Sequence, residues 1–457
     1  MNTQSFVRLL LGAVSVIGLT GCFAPEYKEP ELALPDYVLN DAPNSTVPVA
    51  PVKWWRELRD PDLNKLVDQV LAQNYTLQSA AKRLEQAQAG VASARSSLLP
   101  FITPSAGVTR ARAAGPFAID TQAQGLIGIG WTVDLFGRGR RELEIAEALS
   151  LTAQEAQRET AIVLANQTAA TYFQARALQA QVAMYGELLN QFKGYLAPIK
   201  QSGSASPATL AQFEFTLEQM GLQLTELKRS FAQLENGLRI LAADPSYKLS
   251  KFLTVDAFRK LKTPKSIPSE ALKARPDVRR AEQAIISSYA AVGIAKSAYF
   301  PSFTIQAGTG AAWDTALNKA FGPHAWGVSS LSASLAGPFL DAGGIAARIK
   351  GAESSAEQAE IDYKNTLLNA FFEARNALVT IAASQRSVAE TTAALVSMDK
   401  ALALTSEEMK TQPAQIASLV SLLEDKQQLQ TALINSRVSE LSATADLYRS
   451  LGAPVQE

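Results

Sequence analysis

The sequence predicts a mostly α-helical protein with a small β part, built as a duplicated repeat of long coiled-coil helices and short strands. Three observations predict this fold class. A short motif recurs about two hundred residues apart, apolar residues recur at every seventh position over long stretches, and segments near the helix ends alternate apolar with small polar residues. Because a recurring motif indicates a repeated structural unit, we expect a pseudo-symmetric, elongated object rather than one compact core.

The recurring motif lies at residues 94–107 and again at residues 295–308. At a constant offset, Ala, Ser, Pro, Thr, Ala and Gly occupy the same positions in both copies. In each copy an alanine-rich helical pattern ends at a proline, Pro100 or Pro301, and a strand-like segment follows. Since proline cannot continue the hydrogen bonding of a helix, each copy marks a change from helix to strand.

The N-terminus has the pattern of a bacterial lipoprotein signal. The apolar stretch from Leu9 to Leu19 is too short to span a bilayer as a permanent anchor. It leads into Leu19-Thr20-Gly21-Cys22, a lipobox-like sequence that holds the only cysteine of the chain. We expect residues 1–21 to be a signal peptide and Cys22 to be the lipidated first residue of the mature chain. The alternative is an ordinary secretory signal that contains a cysteine by chance. The second residue of the mature chain would be Phe23 rather than an aspartate, which in such lipoprotein signals favours transport to the outer membrane.

The region from Cys22 to residue 52 is rich in Pro, Glu and Ala and is expected to form an extended, lipidated tether. From Leu63 to Leu98 apolar residues recur at every seventh position without a break. This period predicts a supercoiling helix that is about 50–60 Å long. Helical patterns also cover residues 139–200, and a second seven-residue register runs from Leu367 to Met409.

Breaks in these helical patterns divide the chain into two repeats. Asp244-Pro245 stops the helical pattern of the first half, and a mixed segment with two prolines follows. We therefore expect repeat 1 at residues 53–245, an inter-repeat equatorial segment at residues 246–268 and repeat 2 at residues 269–457. Each repeat would contribute long helices and two strands.

Four segments where the helices stop are predicted strands, at about residues 101–112, 125–137, 302–313 and 327–340. The last of them contains a run in which leucine and alanine alternate with serine. One apolar face and one small polar face are typical of a transmembrane β-strand beside a wet lumen. A half-exposed sheet of a soluble protein is the alternative.

The number of strands requires an assembly if the sheet spans a membrane. Four strands cannot close a barrel, because about eight is the smallest spanning number. An open sheet edge in lipid would leave backbone groups without hydrogen bonds. Several chains must therefore contribute strands to one barrel, and three chains would give twelve strands.

The composition offers few of the residues that catalytic or metal sites need. With 43 basic and 43 acidic residues, the chain has no net charge that would attract nucleic acid. His324 is the only histidine and Cys22 the only cysteine, so metal clusters, Ser/His/Asp triads and Cys/His pairs lack members. The dispersed methionines argue against a copper path lined by thioethers. We expect no enzymatic activity, no cofactor and no nucleic-acid partner.

Several motifs together resemble one known family. They are Trp54-Trp55 with Asp60-Pro61-Asp62-Leu63, then Asp134-Leu135-Phe136-Gly137-Arg138, and further motifs within residues 267–278, 292–302 and 447–452. In order and spacing they resemble the TolC-like outer-membrane factors, specifically the lipoprotein branch that serves RND-type efflux pumps. The resemblance covers about residues 50–452.

This resemblance implies a homotrimer whose twelve-stranded β-barrel, surrounded by outer-membrane lipid, continues into an α-helical periplasmic tunnel. The implied function is the exit duct of a tripartite efflux pump, which passively exports small molecules such as drugs or toxic compounds. The implied partners are a periplasmic adaptor protein and an inner-membrane RND-type transporter. Two alternatives stay open: the same fold serving a protein-secretion system, and a periplasmic coiled-coil scaffold without a pore.

The resemblance also implies a gate at the periplasmic helix tips. Aligning the family's Leu-Leu-Asp motif with Leu422-Leu423-Glu424 puts Glu424 in the position of the gating acidic ring. Val420, one helical turn earlier, would form a hydrophobic ring, and Asp425 is the neighbouring carboxylate. A solvated helix face is the alternative for this acidic pair. Near the tips the chain lacks the family's Arg-Tyr-x-x-Gly motif, and Ile199-Lys200 replaces the Arg-Tyr pair of the first repeat.

Overall fold

The computed structural model describes residues 28, 30–40, 53–111, 120–202, 206–250, 263, 266–314, 322, 324–411 and 416–452. In this part of the chain the fold is mostly helical with a small β part, which confirms the predicted fold class. The described residues group into two compact units. The strand unit contains Lys82–Gln154 and Arg280–Lys364, and the helix unit contains Leu32–Ala81, Glu155–Arg279 and Asn365–Glu457.

The described helices are α1 Pro61–Gln73, α2 Tyr75–Ser96, α3 Arg138–Ser202, α4 Pro207–Leu241, α5 Pro276–Ser297, α6 Gly344–Thr411 and α7 Ile416–Ser450. The described strands are β1 Tyr37–Asn40, β2 Phe101–Ala111, β3 Asp120–Val133, β4 Ser266–Pro268, β5 Ser302–Asp314 and β6 Trp326–Ala336. Short 3₁₀ helices lie at Trp54–Leu58 and Ser269–Ala274. The described helices include none whose length and apolar content together would let it cross a membrane.

The strand unit contains an antiparallel sheet with the strand order β2-β3-β5-β6. β2 begins directly after Pro100 and β5 directly after Pro301, as expected for helices that proline stops. β3 and β6 end earlier than the sequence predicts. Left-handed backbone at Gly137 (φ 80°) and Gly343 (φ 91°) turns the chain into α3 and α6, a conformation that glycine adopts without steric cost.

The helix unit contains a second, two-stranded sheet that the sequence did not reveal. β1 pairs antiparallel with β4, and Tyr37 lies opposite Pro268. The backbone N–H of Ser269 donates to the carbonyl oxygen of Asp36 at 2.9 Å and extends the pairing. A described part of the predicted tether is therefore fixed to the segment before repeat 2.

The seven-residue pattern that begins at Leu63 predicts one helix, and this prediction is wrong. The chain breaks at Asn74, whose backbone is extended (ψ 126°) between α1 and α2. The Asn74 side chain accepts from the N–H of Thr76 at 2.9 Å and donates to the carbonyl oxygen of Leu241 at 2.9 Å. Because the Asn74 oxygen satisfies a free N–H at the start of α2, the break is a helix cap rather than a distortion.

The first part of the second register, from Leu367 to Val388, is confirmed along α6. Leu367, Ala374, Ile381 and Val388 are all buried, at the seven-residue spacing. The side of α6 that meets α7 also carries polar contacts, since the Ser384 and Ser439 hydroxyls lie 2.9 Å apart. Apolar positions and paired hydroxyls together hold these two long helices side by side.

A buried charge network supports the core of the helix unit. The guanidinium of Arg176 is fully buried and donates to Asp62 at 3.0 Å and to the Tyr172 hydroxyl at 2.9 Å. The Tyr172 hydroxyl donates in turn to Asp60 at 2.7 Å. Burial raises the pKa of Tyr172, so the hydroxyl stays protonated and remains a donor. Asp60 also accepts from the first N–H groups of α1, so the network fixes the start of this helix.

Candidate functional site

The four-stranded sheet of the strand unit has two faces of different chemistry. Consecutive side chains of a strand point to opposite faces, and the observed register aligns these faces across all four strands. The apolar face carries Ile102, Val108, Ile127, Ile129, Trp131, Val133, Phe303, Ile305, Leu331 and Leu335. The other face is mostly polar or small and carries Thr103, Ser105, Gln124, Gly128, Thr132, Thr304, Gln306, Gly308, Ser330, Ser332 and Ser334, together with three apolar residues, Phe101, Leu126 and Val328. It is called the polar face below.

In the described part of the chain, much of the apolar face of this sheet is exposed. Leu331 is 80% exposed, Val108 74% and Ile102 68%. The outer edges of β2 and β6 pair with no strand in the described part of the chain. Such edges present unpaired backbone N–H and C=O groups that can bind a further strand. The apolar surface and the two free edges both indicate that the sheet is part of a larger structure.

Two glycines on the polar face lie where neighbouring atoms already occupy the space above the backbone. A Cβ atom at Gly310 would lie 2.0 Å from the carbonyl oxygen of Gly125, so no side chain fits there. At Gly130 the space above the backbone is taken by the ring of Phe101, 2.6 Å from a Cβ atom. One row of neighbouring residues across the sheet reads Thr103, Gly128, Gly308 and Ser330.

The joins between helices and strands are closely packed. The rings of Phe136 and Phe300 stack with their centroids 4.7 Å apart. The indole N–H of Trp131 donates to the carbonyl oxygen of Leu98 at 3.0 Å. A cavity of about 510 Å³ lies beside these contacts and is lined by residues of both joins. The motif that recurs in the sequence therefore marks two joins that the strand unit brings together.

The predicted gate residues lie near the start of α7, in the helix unit. Their side of α7 packs on an apolar cluster formed by Leu188, Phe192, Met220, Leu419 and Leu423. Val420 is half-buried and packs against this cluster. Leu423 belongs to the aligned Leu-Leu motif, but Leu419 was not expected there, although the spacing of one helical turn between the two is the signal of a buried helix face.

Glu424 and Asp425 differ in their surroundings. Glu424 is half-buried, and Asp425 is exposed. Burial, and secondly the charge of Asp425, raise the pKa of the Glu424 carboxyl above its ordinary value of 4.5. The next residue, Lys426, forms an ion pair with Asp399 on α6 at 2.6 Å. The structure thus distinguishes the two carboxylates, with Glu424 the one whose charge is less solvated.

The remaining predicted site residue, Cys22, lies outside the described residues. In the part of the chain that the structure describes, no three His, Cys, Asp or Glu side chains come together in a way that could hold a metal ion. The candidate functional elements are therefore the two-faced sheet and the acidic pair on α7.

Comparison with known proteins decides the family. The family model described as outer membrane efflux protein matches residues 66–243 and 267–453, which is most of the chain. This chain belongs to the outer membrane efflux protein family. The resemblance that the sequence motifs indicated is confirmed. This outer membrane efflux protein is located in the outer membrane and extends into the periplasm, as a channel through which efflux takes place.

Individual relatives are more distant. The toluene efflux pump outer membrane protein TtgC of Pseudomonas putida is 27% identical, over 98% of this chain and 96% of the relative. Nodulation protein T of Rhizobium leguminosarum bv. trifolii is 27% identical, over 81% of each chain. Among solved structures, the open state of the MtrE outer membrane channel of Neisseria gonorrhoeae has a TM-score of 0.86. That channel is 22% identical and is covered over 98% of its length, with 95% of this chain matched, so it shows the shared fold.

Proposed function

We propose that this outer membrane efflux protein assembles as a homotrimer and serves as the passive exit duct of a tripartite efflux pump. The observation that carries the proposal is the two-faced sheet with two unpaired edges. An apolar face suits contact with lipid, and a face of glycine, serine and threonine suits a water-filled lumen. Three copies supply twelve strands, so that every edge is paired and no backbone group lies unsatisfied in the bilayer.

The N-terminal segment adds a second attachment to the membrane. Residues 1–21 direct export, and lipidation of Cys22 anchors the mature chain, followed by the tether to residue 52. Two repeats then supply the two halves of the chain's share of the duct, repeat 1 at residues 53–245 and repeat 2 at residues 269–457. The equatorial segment at residues 246–268 links them. The lipobox-like sequence and the recurring helix-to-strand motif support this division.

The periplasmic end of the duct is closed by a ring of Glu424 side chains, with Val420 as the hydrophobic ring beside it. The half-buried position of Glu424 supports this assignment, because carboxylates near a narrow axis interact more strongly when they are less solvated. Asp425 is exposed and has the smaller role. Packing of α7 on the cluster around Phe192 holds the closed position against the repulsion of three carboxylates.

The duct itself carries out no chemical reaction and selects no substrate. A periplasmic adaptor protein joins it to an inner-membrane RND-type transporter, which supplies the energy and chooses the cargo. The names of relatives refer to efflux of toluene and of cations, which supports small molecules as the exported class. The family is one of channels, and a channel needs no catalytic cluster.

The proposal is tested by oligomeric state and conductance together. Protein extracted from outer membranes in mild detergent should migrate as a trimer before heating and as a monomer after heating. The trimer should conduct ions in planar bilayers, and adaptor and transporter should copurify from crosslinked cells. A trimer without conductance would indicate a scaffold, and copurification with a protein-secretion machinery in place of the pump would overturn the efflux assignment.

A further inference from the structure

The two strand hairpins of the chain correspond residue by residue. The recurring motif relates Pro100 to Pro301 and therefore β2 to β5. Phe101 pairs with Gly130, and Ser302, its counterpart, pairs with Ala336, which relates β3 to β6. The relation of β3 to β6 also maps two later features, which were not used to define it. These are the left-handed Gly137 onto the left-handed Gly343, and the start of α3 onto the start of α6.

Inside one chain, the two hairpins are joined by a ladder between β3 and β5. This ladder runs from Gln122 opposite Asp314 to Val133 opposite Phe303. The free edges of the sheet belong to β6 and β2, which are the counterparts of β3 and β5. The two outer strands of the sheet are therefore counterparts of the two strands that pair in its middle. Head-to-tail contacts of this kind continue from copy to copy and close into a ring when the rotation allows it.

We propose that β6 of one copy pairs with β2 of the next copy in the register that β3 and β5 show within the chain. In this register Leu335 lies opposite Ala106 of the partner subunit, and Ser334 opposite Gly107 of the partner subunit. The inference rests on the trimer proposed above and adds to it the residues and the register of the subunit joint.

The faces of the sheet support this register independently of the repeat motif. Leu335 and Ala106 both belong to the apolar face, and Ser334 and Gly107 both belong to the polar face. A slip of one residue would place Leu335 opposite Gly107 and would bring lipid-facing and lumen-facing side chains onto the same face. The register transferred from the inner ladder is thus one that keeps both faces continuous.

The register also gives a place to Phe339, an exposed apolar side chain after β6. Phe339 is 104% exposed and Leu340 86% exposed, beyond the end of β6 at Ala336. The counterpart of Phe339 is Val133, the last residue of β3, which pairs with Phe303. In the proposed joint β6 is longer by the residues up to Phe339, which then lies opposite Ile102 of the partner subunit on the apolar face. Ile102 is itself 68% exposed in one chain, so the joint covers apolar surface on both sides.

Paired cysteines in the full-length protein test the register. The variant Ser334→Cys with Gly107→Cys places both thiols on the polar face, and a Cβ atom at Gly107 meets no neighbour within the chain. A short methanethiosulfonate cross-linker should shift the monomer band to dimer and trimer bands on heated, denaturing gels. Ser334→Cys with Ala111→Cys is the matched control, since both positions lie on the polar face but four residues out of register. It should stay monomeric.

The outcomes separate this inference from the proposed function. Thr132→Cys with Thr304→Cys, an observed pair whose hydroxyls lie 3.4 Å apart, checks that the reagent links opposite residues within a chain. Suppose that conducting trimers form, and that Ser334→Cys cross-links with Ala111→Cys but not with Gly107→Cys. The proposed register is then wrong, and the proposed duct is unaffected. If conducting trimers form and neither pair links while the Thr132–Thr304 pair does, the joint is overturned as well. If no trimer forms, the joint and the proposed duct both fail.

Discussion

The guanidinium of Arg275 donates to the backbone carbonyl oxygen of Ser450 at 2.6 Å and so connects the start of α5 to the end of α7. The same buried side chain pairs with Asp277 at 2.7 Å and with Glu373 at 3.0 Å. At Gly452, where φ is 64°, a Cβ atom would lie 3.2 Å from the Cα of Arg275. Two of the motifs that indicated the family, one in the middle of the chain and one near its end, thus meet in one place.

Removing this connection should weaken the helix unit. Arg275→Ala leaves the Ser450 carbonyl and two carboxylates without their buried partner, which we expect to cost about 2–3 kcal/mol. This cost is lower than the cost of breaking a fully buried ion pair, because Asp277 and Glu373 are partly exposed. The measurement is the midpoint of thermal unfolding of the purified protein in detergent.

Arg449→Ala is the matched control for that experiment. Arg449 approaches the same Glu373, but at 3.7 Å and with its own side chain 32% exposed. We expect about 0–1 kcal/mol for such a pair. Equal midpoints for the two variants would show that the hydrogen bond to Ser450 does not stabilise the helix unit.

The two faces of the sheet predict opposite effects for neighbouring substitutions. Leu331 and Ser332 are consecutive residues in the middle of β6, on the apolar and the polar face. Arginine on the lipid side of a barrel costs about 2–4 kcal/mol near the middle of the bilayer, whereas a lumen position is solvated. Leu331→Arg should therefore reduce the amount of heat-dissociable trimer in outer membranes far more than Ser332→Arg. Equal trimer yields would contradict the assignment of the two faces.

Lipidation at Cys22 is tested by metabolic labelling. Cys22→Ala removes the thiol that would carry the lipid, so we expect loss of fatty-acid label and of lipoprotein-type processing. Trimer assembly should survive in part, because the sheet provides a separate contact with the membrane. Ser5→Ala, a small change ahead of the apolar stretch, is the control and should keep the label. Label retained in Cys22→Ala would exclude this residue as the attachment site.

Local rules predicted much of the fold. The helices before Pro100 and Pro301 end at Ser96 and Ser297, as proline favours, so the strands that follow could be foreseen. The break at Asn74 combines a local cap of Thr76 with a hydrogen bond to the carbonyl oxygen of Leu241, which is remote in sequence. The second contact could not be foreseen from a local pattern. The β1–β4 pair joins Tyr37 to Pro268 across an even larger separation, and no local pattern marks it.

At the candidate gate, too, contacts between distant parts of the sequence could not be predicted. Motif alignment alone put Glu424 in the acidic ring and left Asp425 as a neighbour. Glu424 follows Leu423 on α7, and Leu423 packs with Leu188 and Phe192 of α3, which come from a distant part of the sequence. A sequence pattern along α7 does not reveal which neighbouring helix covers it.

The acidic ring predicts how substitution changes ion selectivity. In the proposed ring, three Glu424 carboxylates would lie near a narrow axis and attract cations, so Glu424→Ala should reduce the preference for cations and Glu424→Arg should reverse it. Asp425 is turned by about 100° around the helix and is exposed, so Asp425→Ala should have the smaller effect. Reversal potentials in planar bilayers with a salt gradient measure this. If Asp425→Ala changes selectivity and Glu424→Ala does not, the alignment is off by one residue.

The raised pKa of Glu424 predicts a pH dependence of the same selectivity. Burial and the charge of Asp425 favour the neutral form of Glu424, so it takes up a proton at a higher pH than an ordinary glutamate, above 4.5. In the proposed ring, repulsion among three such carboxylates would shift the pKa in the same direction. As the pH falls, the ring loses its charge, and the preference for cations should decrease with a midpoint above 4.5.

The raised pKa of Glu424 also makes the stability of the folded protein depend on pH. Because the pKa is raised on folding, the stabilising contribution of protonated Glu424 is present below 4.5 and is lost as the pH rises through the raised value. Relative to Glu424→Gln, which cannot titrate, the wild type should therefore lose thermal stability as the pH rises through that range. In bilayers, Glu424→Gln should abolish the pH-dependent change in reversal potential, and Asp425→Asn should only lower its midpoint, since one raising charge is removed. An unchanged pH dependence in Glu424→Gln would assign the titration to a different carboxylate and would remove Glu424 from the gate.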